Sequence, residues 1–274
     1  TDHHRVVQLM SDLREQRAVL PDDPYLLYST ASGASERLVD GQAPLSADAI
    51  DAVVSGAGGS DLVGIYAAGQ SFRGFASSFG QRNWFASHSV NFDWSFYLQA
   101  DKAVKCGYAG TQWNAADFQA KVDDALVQLA TLEREPRTIP PGDYRVYLAP
   151  GALADVVGML NWGGLGLKSH RTKGTSLLRM ITDDARLHHG VHLCDNTADG
   201  VAANFQMQGY LKPDQVPLIT AGAHAECLIS PRSAREYGVE TNGADDSEGA
   251  ASMDLAAGDI PMAEVLERLG TGVY

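Results

Sequence analysis

The densest histidine run in the chain is Leu187-His-His-Gly-Val-His-Leu-Cys194. On a helix, His188 and His192 would stand at i and i+4 and could share a zinc ion, as in H-E-x-x-H sites. Gly190 inside the run, Asp183-Asp184 before it and Asp195-Asn196 after it point instead to a strand over 188–193. Four residues of strand rise hold the two side chains roughly 13 Å apart, too far for one ion. His188, His189 and His192 therefore read as a polar sheet surface.

Ser71 lies in Gly69-Gln-Ser-Phe-Arg-Gly74, one residue longer than the G-x-S-x-G nucleophile elbow. The elbow needs a strand, a sharp turn and a helix, whereas strand-like sequence continues on both sides of Ser71. Asp183-Asp184 and Asp245-Asp246 are the obvious carboxylate pairs, but adjacent side chains point apart, and solvated turns are the expected setting. Trp84, Trp94, Trp113 and Trp162 read as core or interface anchors, since no basic residues interleave with them to make a nucleic-acid stacking platform.

Met159-Leu-Asn-Trp-Gly-Gly-Leu-Gly-Leu-Lys-Ser-His170 has the look of a phosphate loop behind the strand-like run Tyr144–Ala149. A phosphate loop needs glycines at both ends of G-x-x-x-x-G-K-[ST], so that backbone N–H groups can wrap the anion. Here Trp162 holds the first glycine position and Leu167 precedes Lys168, so a nucleotide site is not expected.

Periodicity and turn chemistry predict the elements that must position these residues. Apolar residues at helical spacing over Val6–Leu13 predict a first helix, ending before the turn Pro21–Pro24. A second is expected from Ser46, as N-cap, to Gly56. Two glycine-rich strands come next at 62–66 and 72–75, then a strict alternation over 91–98 that places Phe92, Trp94, Phe96 and Leu98 on one face. Its hairpin partner is 103–108, reached through a turn at 99–102. Asn114 caps a helix whose stripe is Phe118, Val122, Ala125, Leu126, Leu129 and Leu132.

The proline-rich, charged stretch 133–142 reads as a linker. Beyond it the sequence predicts a strand at 144–149, a helix over 152–161 whose apolar face (Leu153, Val156, Val157, Leu160) is buried, strands at 216–219 and 224–229, and a helix at 231–237. An acidic, mobile loop is expected at 242–249, and a last helix from Pro261, at its N1 position, to Gly270. The fold class is α+β: an N-terminal α/β domain over 1–135 and a β-rich C-terminal domain over 140–274. The chain begins without Met and closes on Gly270-Thr-Gly-Val-Tyr274 as if entering another strand, so it is expected to be missing its start and its end.

Composition bounds the function. A formal net charge of −13 disfavours nucleic-acid binding, which needs concentrated Lys and Arg. No apolar run approaches the ~18 residues of a membrane span, and Thr1-Asp-His-His-Arg5 is not a signal peptide, so a soluble, cytoplasmic chain is expected. Cys106, Cys194 and Cys227 lack C-x-x-C spacing and read as buried, reduced thiols.

Several segments together resemble the TldD/TldE (PmbA) family of zinc metallopeptidases: Asp22–Leu27, Gly64–Gly69, Arg73–Ala76, Gly80–Trp84, Asn91–Ser95 and Asp101–Lys105, in an order that continues to Tyr274. In that family the active subunit carries a His-Glu-x-x-x-His helix after a strand ending in Pro-Gly, and a cysteine nearer the C-terminus as a further ligand. The matching stretch here, Ala149–Gly163, contains neither His nor Glu; Gly158 and Gly163 stand where the histidines would be, and glycine offers no lone pair to zinc. The late cysteine would fall beyond Tyr274. The resemblance thus implies the TldE-like side of a peptidase complex acting on peptides or unfolded proteins, with no catalytic, metal or cofactor-binding residue assigned in this chain. Zinc is expected in an active partner subunit, and the expected assembly is either with a TldD-like active subunit or a homodimer. The alternative is a stand-alone peptide-binding or scaffolding protein on the same fold.

Overall fold

The structure, a computed structural model, describes residues 2–100 and 102–274. Helix α1 (Asp2–Arg17) buries none of its residues. Strand β1 (Gly33–Val39) and helix α2 (Ser46–Ala57) lead into β2 (Asp61–Ala76), β3 (Gln81–Gln99), β4 (Lys102–Gly110) and helix α3 (Ala115–Leu132). β2 pairs antiparallel with β3 along its whole length, while β1 (parallel) and β4 (antiparallel) share the opposite edge of β3 end to end.

The two short strands expected at 62–66 and 72–75 are therefore one continuous strand, and β3 starts ten residues before the expected Asn91. The expected turn at 99–102 includes Asp101, which lies outside the described residues; the strands on either side pair as expected.

β3 buries opposite faces along its length. Gln81, Asn83, Phe85 and Ser87 are buried in its first half, and Val90, Phe92, Trp94 and Phe96 in its second. Because alternate residues face opposite sides of a strand, this change of parity means that one strand serves two cores. The even set packs with Phe118, Val122 and Ala125 of α3, the larger side chains contributing about 1.5–3 kcal/mol each. The odd set faces the rest of the chain: Phe85 packs with Ala203 and Phe205, and Gln81 Nε2 donates to Gly209 O at 2.6 Å.

α3 forms as its sequence dictates. Asn114 Oδ1 accepts from Ala116 N at 2.9 Å and from Asp117 N at 3.3 Å, satisfying two of the otherwise orphaned helix donors. Ser46, by contrast, is the first residue of α2, not its cap; Leu45 holds that position and makes no side-chain bond.

Beyond 133–142 come helices α4 (Pro150–Gly158), α5 (Leu167–Arg171) and α6 (Leu178–Thr182), then strands β5 (Leu193–Asn196), β6 (Gln215–Thr220) and β7 (Ala223–His224). Helix α7 (Pro231–Tyr237), strand β8 (Met253–Leu255) and helix α8 (Val265–Leu269) complete the chain. The second sheet runs β7-β6-β5-β8 over a core that includes Leu165, Leu193, Leu218 and Leu228. The strand expected at 144–149 is reduced to a single parallel bridge, Val146 to Val273, and that expected at 224–229 to the two residues of β7 plus one bridge, Leu228 to Gly166. Pro261 caps a 3-10 turn ahead of α8 instead of standing inside the helix.

Candidate functional site

The Ala149–His170 stretch is the natural place to look for chemistry. α4 begins with Pro150 at its first position, where the missing N–H costs nothing, and continues as a 3-10 turn through Asn161. Trp162 leaves the helical region and Gly163 has φ +90°, so the chain turns away before a longer helix can form. A side chain at Gly164 would meet Leu160 O at 2.6 Å and Ser176 Oγ at 2.8 Å, so this turn is closed to any larger residue.

Past this turn the chain forms an internal clasp. Gly164 O accepts from Thr175 Oγ1 at 2.7 Å and lies 2.9 Å from His170 Nε2. Asn161 reads the backbone of Ala250 at both atoms: Oδ1 accepts from its N–H at 2.8 Å and Nδ2 donates to its carbonyl at 3.1 Å. The stretch that resembled a phosphate loop does present one backbone donor to an anion, but the anion is Glu248 of the same chain. Its Oε2 accepts from Lys168 N at 2.9 Å, and its Oε1 from Ser230 N at 2.9 Å and Ser230 Oγ at 3.0 Å.

This corrects the expectation of a mobile loop over 242–249. Glu248 is 5% exposed and Ala244 4%, and Asn242 bonds to the backbone of Ile229 and Cys227. The acidic composition concealed a segment whose polar groups are spent on the neighbouring backbone.

α4 itself is less buried than its apolar face suggested. None of its residues is buried; Val157 and Leu160 touch the second core, while Val156 is exposed. Along the same flank lies an apolar groove of about 780 Å³ walled by Tyr147, Leu153, Val157, Met253, Leu255 and Ile260. Val156, Met159 and Trp162 form an exposed row, with Trp162 83% accessible. Trp162 is thus no core residue, whereas Trp94 is fully inside.

The remaining candidates disperse. His188 and His189 sit in a turn, not a strand, with rings 4.1 Å apart, and His188 Nδ1 accepts from Gly190 N. His192 accepts from Ala221 N, directed to a different backbone partner. Ser71 lies in mid-strand opposite Ser87. Asp184 pairs with Arg186 in solvent, Asp245 accepts from Ser247 N and Oγ, and Asp246 accepts from Gln208. Among the described residues no group of three or more His, Cys, Asp or Glu side chains is arranged to hold a metal. The three cysteines are free and half-buried, and burial raises the pKa of each thiol, so none is primed as a thiolate. His224, edge-on to His170 with ring centroids 5.1 Å apart, has its pKa lowered by burial and then by His170.

Sequence reasoning missed Asn161, Glu248 and Arg37. The only hint was the glycine spacing at 164 and 166, which signals close approach of another segment: a Cβ on Gly166 would stand 2.5 Å from Glu248 Cβ.

No protein-family model matches the sequence, and no curated protein matches it. Solved structures do. A candidate modulator of DNA gyrase from Bacteroides thetaiotaomicron superposes with a TM-score of 0.72 at 15% identity, over 94% of this chain and 62% of that one. A second candidate modulator, from Thermotoga maritima, gives 0.64 at 16% identity, over 84% of this chain and 56% of that one. TldE from Thermococcus kodakarensis gives 0.59 at 13% identity, over 91% and 62%. At these identities the likeness is one of fold: the chain is an α+β protein with the fold seen in TldE. It spans 56–62% of the length of those three chains. No helix among the described residues is long and apolar enough to cross a membrane.

The residues at the expected metal-binding helix do not fit a zinc ion. Gly158, Met159 and Gly163 supply no nitrogen, oxygen or thiolate ligand from their side chains, and the backbone turns at Gly163.

Proposed function

We propose that this chain is a TldE/PmbA-like subunit of a zinc metallopeptidase complex acting on peptides or unfolded proteins, itself without the metal ligands. The observation that supports this reading most is the combination of that fold with a stretch, Ala149–Gly163, that carries neither His nor Glu, and an exposed row of Val156, Met159 and Trp162. A tryptophan so exposed suits burial by another chain, because large aromatics anchor interfaces. In this reading the partner is a TldD-like subunit that supplies zinc and hydrolysis, and this chain completes the enclosure and lines the path of an extended peptide.

Co-expression with a chain carrying His-Glu-x-x-x-His tests the proposal. The pair is expected to co-purify, to hold zinc and to cleave unfolded peptides, with Trp162→Ala weakening the complex. One tightly bound zinc per subunit in this chain alone, with cleavage abolished by a chelator, would overturn it. Failure to bind any such partner would favour a stand-alone scaffold on the same fold.

A further inference from the structure

β2 is an edge strand without the usual protection of an edge. It pairs only with β3, and among the described residues no backbone hydrogen bond joins the outer side of residues 61–76 to any other segment. Exposed edges are ordinarily guarded by proline, lysine, a bulge or short length. β2 runs for 16 residues, contains no Pro or Lys, and keeps its register with β3 throughout. Val63, Ile65 and Phe72 are 62%, 76% and 56% exposed along it.

We propose that β2 pairs antiparallel with β2 of a second copy of this chain, joining the two four-stranded sheets into one. Charge singles out both the partner and the register. The only charged residues on β2 are Asp61 and Arg73, of opposite sign, six residues either side of Ala67. In an antiparallel ladder, residues directly opposite each other must both direct their backbone groups inward or both outward. Two copies of one strand can satisfy this only when the twofold axis passes a residue, not the bond between two residues. With the axis at Ala67, each Asp61 stands opposite the other copy's Arg73. Shifting the axis to Tyr66, Ala68 or Gly69 leaves both charges opposite uncharged residues.

The same register uses the exposed apolar groups. Phe72, which stacks on Trp84 with centroids 5.8 Å apart, comes opposite Leu62 of the other copy on the same face of the joined sheet, an apolar cross-strand pair. Ile65 comes opposite Gly69, and Ala67 meets Ala67, so the centre of the seam is small enough for close approach. The span 61–73 provides roughly a dozen backbone hydrogen bonds, the number found in a standard-size stable interface. With one Asp and one Arg, the strand is also neutral in a chain of net charge −13, so the seam avoids the repulsion that other surfaces of two copies would meet. The inference stands on β2 alone and holds whether or not the chain also serves beside an active subunit.

Sedimentation velocity on the full chain tests it, with circular dichroism confirming that each variant folds. The unmodified chain is expected to be dimeric. Arg73→Asp and Asp61→Arg each place like charges opposite one another twice per dimer and should weaken association by about tenfold or more, while the double variant Asp61→Arg/Arg73→Asp should restore it. Independently, Ala67→Cys should cross-link to itself on mild oxidation and Ala68→Cys should not, because residue 68 faces Tyr66 of the other copy on the opposite side of the sheet. If a charge variant fails to fold, the cysteine pair decides. A monomeric unmodified chain, including one whose β2 captures an extended peptide instead, overturns the proposal. So do single charge variants that dimerise normally, a double variant that stays apart, or equal cross-linking at positions 67 and 68.

Discussion

Glu248 Oε1 accepts from both the backbone N–H and the hydroxyl of Ser230, at 2.9 and 3.0 Å, while its other oxygen accepts from Lys168 N. One buried carboxylate thereby joins the starts of α5 and α7 across a segment that is remote from both in sequence. Removing it leaves buried donors without a partner, the costly side of hydrogen-bond energetics. Glu248→Ala is expected to lower stability by about 2–5 kcal/mol. Glu248→Gln, which keeps one acceptor oxygen but turns an NH₂ group toward a donor, should cost about 1–3 kcal/mol. Urea unfolding followed by circular dichroism reads both; equal stability of Glu248→Ala and the parent chain would mean that the clasp contributes nothing.

His224 makes stability sensitive to mild acid. Its folded pKa lies below the ordinary value of 6.5 because burial, and then His170, disfavours the charged ring. The unfolded chain therefore binds a proton more readily, so this contribution is intact above pH 6.5 and is lost as pH falls through the lowered folded pKa. His224→Phe keeps an edge-on ring against His170 and removes the titration. The urea midpoint of the parent is expected to fall more between about pH 7.5 and about pH 5.5 than that of His224→Phe. Parallel curves would contradict the assignment.

Arg37 ties β1 to the loop before β6. Its guanidinium donates to the carbonyls of Ala198 at 2.9 Å, Ala202 at 3.1 Å and Gly200, and it lies 5.8 Å from the Phe85 ring centroid. A lysine has no planar fork to reach three carbonyls. Arg37→Ala is expected to cost about 1–3 kcal/mol, with Arg37→Lys recovering only part. Hydrogen exchange gives the sharper readout: amides of 198–202 should lose protection while those of α3 keep theirs.

The legible parts of the fold were those ruled by local pattern. The alternation that buries Phe92, Trp94 and Phe96, the Asn114 cap and the stripe through Val122 all follow from residue type and period, and α7 has the expected bounds. What local pattern could not show was tertiary: that β3 changes its buried face, that 144–149 forms one bridge in place of a strand, and that an acidic loop closes around Asn161 and Ser230. His188 and His192 are dispersed as expected but not on a strand, since His188 occupies a turn and His192 the residue just ahead of β5. Past α4, the close approach of Gly164 to Leu160 and Ser176 is a tertiary proximity that no period announces.

That turn makes restoring the missing ligands an informative experiment. Gly158→His, Met159→Glu and Gly163→His together rebuild His-Glu-x-x-x-His at its expected place. If only side chains separate this chain from an active subunit, the triple variant should take up zinc. The backbone argues otherwise. Position 158 ends α4, a 3-10 turn comes next, and Gly163 sits at φ +90°, where an L side chain is strained by about 1–2 kcal/mol. Gly164, closed against Leu160 O and Ser176 Oγ, leaves its neighbour little freedom to relax. Dialysed against equimolar zinc and assayed by metal analysis, the triple variant is expected to hold no more zinc than the parent and to unfold at lower urea. Stoichiometric uptake would mean that the helix lengthens readily to accept an ion, and that side chains alone keep this stretch from binding zinc.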